Sequence, residues 1–512
     1  MEPDLPPLIR ALLEPQRYSP ALARVELVQT HISWVLLAGD FAYKIKKPLN
    51  LGFLDFSTLA LRQRYCQEEL RLNRRYASDL YLGVVDIFNT PADPQWQGTG
   101  APIEYAVKMR RFDAAARLDR VCARAELQPQ HLSDLAGTLV AFHASAAKAT
   151  STSKFGSPSQ ILAPALANMD DLLRDFPGAD AAGRLGALRG WTEAQFKLLT
   201  PLMQARKRQG RVRECHGDLH LANLVLIDQR VRLFDGIEFS EELRWIDVAS
   251  EIAFAYMDLL AHAQPGLGNW WVDEVLSRSG DYEAAQLLRF YAVYRALVRA
   301  KVAALRATQT QGDGAEALAY IALAERLAAP PPARLIITHG LSGCGKTVAS
   351  SALLQSDPAA TLRLRSDVER KRLFGLSGTA RSGSAVAGGI YTAEAHAQTY
   401  AHLRELAAML LRAGWSVIVD ATFLKRAERE SFRTLAKANE VAFSILAPLA
   451  TPAQLRERIL ARNALERDAS EATLQVLAQQ MQVVEPLAQD EGPVIHAGRH
   501  ARGSGWQYDR VA

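Results

Sequence analysis

Between Arg24 and Lys47 apolar and polar residues alternate in short runs. The runs are Arg24-Val-Glu-Leu-Val-Gln-Thr, Ser33-Trp-Val-Leu-Leu-Ala and, after a Gly39-Asp40 turn, Phe41-Ala-Tyr-Lys-Ile-Lys-Lys. A period of two with Gly-Asp between runs predicts strands joined by a tight turn. Thr58 to Ala77 carries a helical period dense in Arg and Glu. Strands are expected again at Tyr81 to Phe88 and Ile103 to Phe112, around a Pro- and Gly-rich loop from Asn89 to Pro102. From about residue 113 to about 330 the pattern is helical, with a helix opening at Trp245 and others over Leu287–Arg306 and Ala315–Ala328. One hairpin interrupts it: Leu224-Val-Leu-Ile, a polar Asp228-Gln229-Arg230, then Val231-Arg-Leu-Phe. Ala329-Pro-Pro-Pro-Ala then reads as a stiff linker. Beyond it, apolar runs at 334–339, 360–365 and 416–420 alternate with helical stretches at 348–354 and 455–463. That alternation predicts an α/β domain with a parallel sheet. The expected domains are therefore residues 1–328, of α+β type, and residues 329–512.

Length supports the division, since 512 residues exceed what one core organises. A hydrophobic content of 49% with 22% charged residues is ordinary for a globular chain and argues against disorder. No apolar run reaches the roughly 18 residues of a membrane span. Met1 to Arg17 lacks the apolar core of a signal peptide. Cys66, Cys122, Cys215 and Cys344 show no paired spacing, which suits reduced thiols and a cytoplasmic location. The net charge of +5 lies wholly beyond Pro331, where 22 basic residues face 17 acidic ones. So mild a surplus allows an anionic ligand without requiring nucleic acid.

The candidate chemistry of the first domain centres on residues 214 to 239. His216, Asp218 and Asn223 fit the spacing H-x-D-L-x-x-x-N, and Asp235 stands within Phe234-Asp235-Gly236. The predicted hairpin would bring Asp218, Asn223 and Asp235 to one edge. Phosphoryl transfer needs charge neutralised more than bonds activated. Asp235 and Asn223 would hold Mg²⁺ through oxygen, and Asp218 would take the proton of the attacking hydroxyl. Cys215, His216, Asp218 and His220 are also zinc-ligand types, and the weaker reading makes them a metal cluster. Lys44 and Lys46 share one face of their strand, placing Lys44, with Lys46 in reserve, at nucleotide phosphates. Glu69, rather than its neighbour Glu68, is expected to pair with that lysine. Asp247 is a candidate brace for the Asp218 loop, a helix cap or a surface residue.

In the second domain a strand runs into Gly340-Leu-Ser-Gly-Cys-Gly-Lys-Thr347, a G-x-x-x-x-G-K-T phosphate loop with a helix after it. Gly340, Ser342, Gly343, Cys344 and Gly345 would turn backbone N–H groups toward phosphates. Lys346 would neutralise them, and Thr347 would reach Mg²⁺. Asp420, closing the Ser416–Asp420 strand, fits a Walker B ligand. Asp367 could act as base toward an acceptor hydroxyl held near Arg370. Arg458 and Arg462, four apart on a helix, would cover the transferring phosphate.

Residues 20–300 resemble the aminoglycoside phosphotransferase family, on Tyr43-Lys44-Ile45-Lys46, His216-Gly-Asp218-Leu-His-x-x-Asn223 and Phe234-Asp235. Thr30 to Val35 has no glycine where that family's phosphate-covering loop would stand, and no acidic cluster marks a polycationic pocket. Residues 333–490 resemble P-loop small-molecule kinases of the zeta-toxin and polynucleotide-kinase-like branch. The matching segments are Gly340 to Thr347, Arg365-Ser366-Asp367 with Arg370-Lys371, Val419-Asp420-Ala421-Thr422, and Arg458 with Arg462. The whole is similar to bacterial fusions of such a phosphotransferase with such a kinase. The resemblance implies a bilobal protein-kinase-like fold joined to a P-loop NTPase fold, with ATP and Mg²⁺ as cofactors. It also implies a small-molecule acceptor bearing a hydroxyl.

Two other readings stand beside it. One is a nucleic-acid or nucleotide-sugar kinase acting through the C-terminal site, which would need aromatics gathered around the arginines. None is evident from the spacing. The other is a regulator in which one nucleotide site senses ATP for its neighbour. No membrane partner is expected, and the sequence leaves the oligomeric state open.

Overall fold

The computed structural model describes residues 5–52, 54–175, 179–310, 312–378, 380–384, 388–465, 469–499 and 506–511. Contacts divide the chain into two compact units. One comprises Met1–Phe176 with Arg189–Asp258, the other Pro177–Leu188 with Leu259–Ala512.

The first unit opens on an antiparallel sheet. Its strands are β1 (Val25–Gln29), β2 (Ser33–Ala38), β3 (Phe41–Lys46), β4 (Tyr81–Thr90), β5 (Asp93–Gln95) and β6 (Glu104–Arg110). They lie in the order β1-β2-β3-β6-β4-β5. Only the short β5, inside the expected Asn89–Pro102 loop, was not anticipated. Lys44 pairs with Val35 on one side and Val107 on the other, so β3 is central and its position is fixed from both edges. The Leu59–Ala77 helix is capped by Thr58, whose hydroxyl accepts the Leu61 N–H, and it buries Cys66, Glu69, Leu72 and Asn73 against the sheet.

Beyond the sheet the first unit is mostly helical. Two small strand pairs carry its polar loops. β7 (Val212–Glu214) pairs with β10 (Trp245–Asp247), and β8 (Leu224–Ile227) with β9 (Arg230–Leu233). The second pair is the expected hairpin. Its turn residues Asp228 and Gln229 have φ of 48° and 61°, the left-handed geometry of a two-residue turn that matches strand twist. The first pair corrects the reading of Trp245 as a helix start. Trp245–Asp247 is a strand because Val212–Glu214 offers it a ladder, and the helix begins at Val248.

In the second unit the strands are β11 (Arg334–Thr338), β12 (Thr361–Arg365), β13 (Ser416–Asp420), β14 (Ala442–Pro448), β15 (Val494–Arg499) and β16 (Trp506–Val511). Their order is β12-β13-β11-β14-β15-β16, with only β16 antiparallel to its neighbour. All five residues of β13 are buried, as expected of a strand covered on both faces. The division by contacts does not fall at the expected 328/329 boundary. The Pro265–Ser279 helix packs on β12: the Asn269 amide accepts the Thr361 N–H (3.1 Å), and Asp273 accepts the Arg363 N–H (2.7 Å). Asn269 also donates to the carbonyls of Asp357 and Ala359. These helices precede the proline linker yet complete the edge of the sheet beyond it.

Candidate active sites

In the first unit, β3, the Leu59–Ala77 helix and the segment after β9 converge on five ionisable side chains. Lys44 Nζ donates to Glu69 Oε1 (2.9 Å) and also to Asp235. Lys46 Nζ donates to Glu69 Oε2 (2.8 Å) and to Glu238. The expected Lys44–Glu69 pair is thus present, and Lys46 joins it instead of standing in reserve. Glu68 pairs instead with Arg71 and Arg244. Burial opposes the charge of Lys44, but Asp235, Glu69 and Glu238 outweigh it and hold its pKa well above the ordinary lysine range. Burial likewise works against Glu69, but the two ammonium groups bring its carboxyl down to about 2. Glu238 is raised, burial outweighing Lys46.

Asp235 sits at φ 62°, a strained position for a non-glycine residue. It is held there by its N–H to the Tyr81 hydroxyl (2.9 Å) and by the next N–H, of Gly236, to Asn73 Oδ1 (2.9 Å). A side chain at Gly236 would meet the Tyr76 hydroxyl, its Cβ lying 2.3 Å away. With its side chain 42% exposed, Asp235 is the member of the cluster open to a ligand.

Across from it stands the loop before β8. Asn223 Nδ2 donates to Asp218 Oδ2 (2.8 Å) and to the Asp218 carbonyl (3.0 Å), leaving Oδ1 as the oxygen suited to a cation. His220 Nε2 lies 3.3 Å from Asp218 Oδ2, and the Asp218 side chain is 35% exposed. His216 is buried, which lowers its pKa. Its Nε2 faces the Phe234 carbonyl (2.9 Å), so Nε2 carries the proton, and its Nδ1 accepts the Asp218 N–H (3.3 Å). One imidazole thus ties the Asp218 loop to the Asp235 segment.

The brace of this loop is Glu251, not Asp247. Glu251 Oε1 accepts the N–H groups of His216 and Gly217, and Oε2 meets His143. Asp247 instead takes a two-pronged bond from Arg206 (2.8 Å each) and caps its helix through the Ala249 N–H. Sequence reading missed Glu251 although it lies one helical turn beyond Asp247. It passed over Glu238, an acid flanked by Ile237 and Phe239 in the very segment it singled out.

A zinc cluster at Cys215, His216, Asp218 and His220 does not fit the geometry. Cys215 Sγ points to the Ile246 carbonyl (3.6 Å), His216 is engaged at both nitrogens, and His220 Nδ1 accepts the Ala222 N–H. Among the described residues one group, His143, Cys215 and Glu251, has ligand-type atoms within 4.8 Å of one another. These atoms already serve the hydrogen bonds that brace the loop.

In the second unit the phosphate loop joins β11 to the Lys346–Ser356 helix and borders a cavity of about 890 Å³. Gly340, Gly343 and Gly345 adopt positive φ, and a Cβ at Gly343 would meet the Leu455 carbonyl at 2.7 Å. Lys346 Nζ donates to the carbonyls of Gly340 and Leu341 (2.9 Å each) across the loop mouth. Ser342 departs from its expected role, since its N–H is taken by Gln480 Oε1 (2.8 Å). Asp420 accepts from the Ser350 hydroxyl (3.3 Å) and borders the cavity with Thr347. Loop, ammonium, hydroxyl and carboxylate suit a magnesium-bound polyphosphate.

Asp367 and Arg370 also line the cavity, 3.7 Å apart, on the Ser366–Leu373 helix that follows β12. Arg458 donates to the Gly343 and Cys344 carbonyls (3.4 and 3.2 Å) and Arg462 to Ala472 (2.9 Å), both at the cavity wall. One expectation is corrected. The Arg370 guanidinium lies 5.1 Å over the Tyr391 ring, and Tyr400 and His396 line the same cavity, so aromatics do gather near one of the arginines, Arg370. They are brought from the Ala393–Arg412 helix and the turn before it, a long-range placement that spacing does not show.

A lysine–glutamate pair beside an H-x-D-x-x-x-x-N loop and a metal-type aspartate defines a protein-kinase-like unit. A phosphate loop on a parallel sheet defines a P-loop NTPase-type unit. Residues 335–487 match a family described as an AAA domain. An uncharacterized protein of Mycobacterium tuberculosis is 28% identical over 455 residues, 89% of each chain. Among solved structures, a choline kinase from Cryptosporidium parvum is 9% identical, covering 59% of this chain and 88% of its own, with a TM-score of 0.38. An aminoglycoside 2'-phosphotransferase in complex with GDP is 14% identical, covering 62% and 97%, also with a TM-score of 0.38. No helix among the described residues is long and apolar enough to cross a membrane.

Proposed function

We propose that the chain is an ATP-dependent phosphotransferase with two kinase sites, each transferring the γ-phosphate to a hydroxyl of a small molecule. The observation that carries the reading is the cluster of Lys44, Glu69 and Asp235 beside the Asp218–Asn223 loop. Asp235 and the Asn223 amide oxygen would hold Mg²⁺, which supplies charge neutralisation at the phosphates. Lys44, kept charged and oriented by Glu69, binds phosphate oxygens. Asp218, held by Asn223 and His220 and open to solvent, accepts the hydroxyl proton. In the second unit Lys346, Thr347 and Asp420 would hold the magnesium–nucleotide, Asp367 would take the acceptor proton, and Arg458 and Arg462 would meet charge on the transferring group.

For this second site the gathering of Tyr391, Tyr400 and His396 beside Arg370 favours a more specific acceptor, a nucleotide or nucleotide sugar. Its ring would stack where a small aliphatic alcohol would not. Both readings are tested with labelled ATP against metabolites and oligonucleotides, using the parent, Asp218→Ala and Asp367→Ala proteins. Transfer lost only in Asp218→Ala belongs to the first unit, and transfer lost only in Asp367→Ala to the second. Transfer that survives in both variants would overturn the assignment of the bases.

A further inference from the structure

The first unit carries two strand lysines where one serves a nucleotide. Lys46 is wholly buried, whereas Asp235 in the same cluster is 42% exposed. Lys46 therefore has no path to a ligand, and its two partners are both buried acids, Glu69 and Glu238. The two come from different parts of the unit: Glu69 from the Leu59–Ala77 helix, Glu238 from the chain three residues past Asp235. The ring of Phe56 covers the ammonium at 4.8 Å.

We propose that Lys46 and Glu238 form an internal tie that positions Glu69 and Lys44 and fixes the Asp235 segment against β3. Glu69 gives one oxygen to each lysine. Without Lys46 its second oxygen would turn to Lys44 and draw that ammonium off the phosphates. Without Glu238, Lys46 would compete with Lys44 for Glu69, and the Asp235 segment would lose its anchor on the sheet. Lys46 and Glu238 are thus positioning residues. The inference rests on the reading that the first unit binds Mg·ATP.

The test uses the full chain carrying Lys346→Met, so that the second phosphate loop is silenced, and titrates Mg·AMP-PNP by calorimetry. Asp235→Ala in that background should weaken the binding and so reduce the heat, marking it as the first unit's. Lys46→Met and Glu238→Gln should each weaken AMP-PNP by roughly tenfold at a temperature where both are folded, the scale of losing a supporting partner. Lys46→Arg, which keeps the charge, should restore most of the affinity. A purely structural role would lower the melting temperature and leave the affinity of the folded chain unchanged. Should Lys46→Met not fold, the nearly isosteric Glu238→Gln decides. Unchanged affinity in a folded Glu238→Gln overturns the tie while leaving the nucleotide site intact. A parent that binds no AMP-PNP overturns both.

Discussion

Asp235 and Asp218 differ in how they are held, and their substitutions should separate binding from chemistry. Asp235 is fixed at a strained φ by Tyr81 and lies against Lys44. Asp235→Ala should therefore weaken Mg·ATP. Asp218 is held on the other side of the site by Asn223 and His220. Asp218→Ala should keep nucleotide affinity and lose rate by roughly 10²–10⁴-fold, the range for a general base. Nucleotide titration of both variants checks the first half of this before an acceptor is found, and the opposite pattern would exchange the roles. Glu251 has a pH signature of its own. Burial pushes its carboxyl up, but His143, His216 and the Gly217 N–H more than compensate, and its pKa falls from 4.5 to about 2. A carboxyl lowered on folding stabilises above its unfolded value, and that contribution is lost as pH falls from about 4.5 toward about 2. Glu251→Gln should be less stable at neutral pH and show a flatter loss across that acid window, measured by denaturant unfolding at stepped pH.

At the scale of elements, the β8–β9 hairpin sets the distance between Asn223 and Asp235, which bracket it. Its turn keeps two non-glycine residues at positive φ, at a cost of about 1–2 kcal/mol each. Glycine relieves that cost but loses roughly 0.5–1 kcal/mol of chain entropy. Gln229→Gly should thus raise stability slightly, by about 0–1.5 kcal/mol, with an unchanged denaturant slope. A lowered midpoint would mean that the Gln229 side chain does more than turn the chain. The phosphate-loop helix shows the complementary case. Gly343 has no room for a side chain, because a Cβ there would lie 2.7 Å from the Leu455 carbonyl of the Pro452–Leu465 helix, which also carries Arg458. Any side chain at Gly343 should therefore displace that helix and reduce nucleotide binding in the second unit.

On the scale of the whole molecule, the helices between residues 259 and 328 belong by their contacts with the P-loop sheet. Asn269 and Asp273 satisfy backbone N–H groups of β12 that a shorter piece would leave bare. A fragment of residues 259–512 should be folded and cooperative. One starting at residue 331 should melt at a lower temperature or aggregate, as calorimetry and gel filtration would show. Equal stability of the two fragments would place the boundary back at the proline linker. The intact chain should take up two equivalents of Mg·AMP-PNP, and Lys346→Met should remove one.

The spacings of the candidate sites were legible in the sequence because they are local. H-x-D-x-x-x-x-N, F-D-G and G-x-x-x-x-G-K-T are short runs whose geometry follows from a turn, a hairpin or a loop entering a helix. The strands around Lys44 were legible for the same reason, since alternation along one strand reports its own two faces. What crosses between distant segments was not. Trp245–Asp247 is a strand only because Val212–Glu214 lies beside it. Glu251 is a brace only because its helix brings it under the Asp218 loop, while Asp247, equally acidic and nearby, is drawn off by Arg206. Lys46 and Glu238 lie 192 residues apart, and neither sequence neighbourhood records the other. Local spacing determined which candidate chemistry the chain carries. Tertiary packing decided which charges meet, because burial makes an unpaired charge costly and the choice of partner depends on the folded neighbourhood.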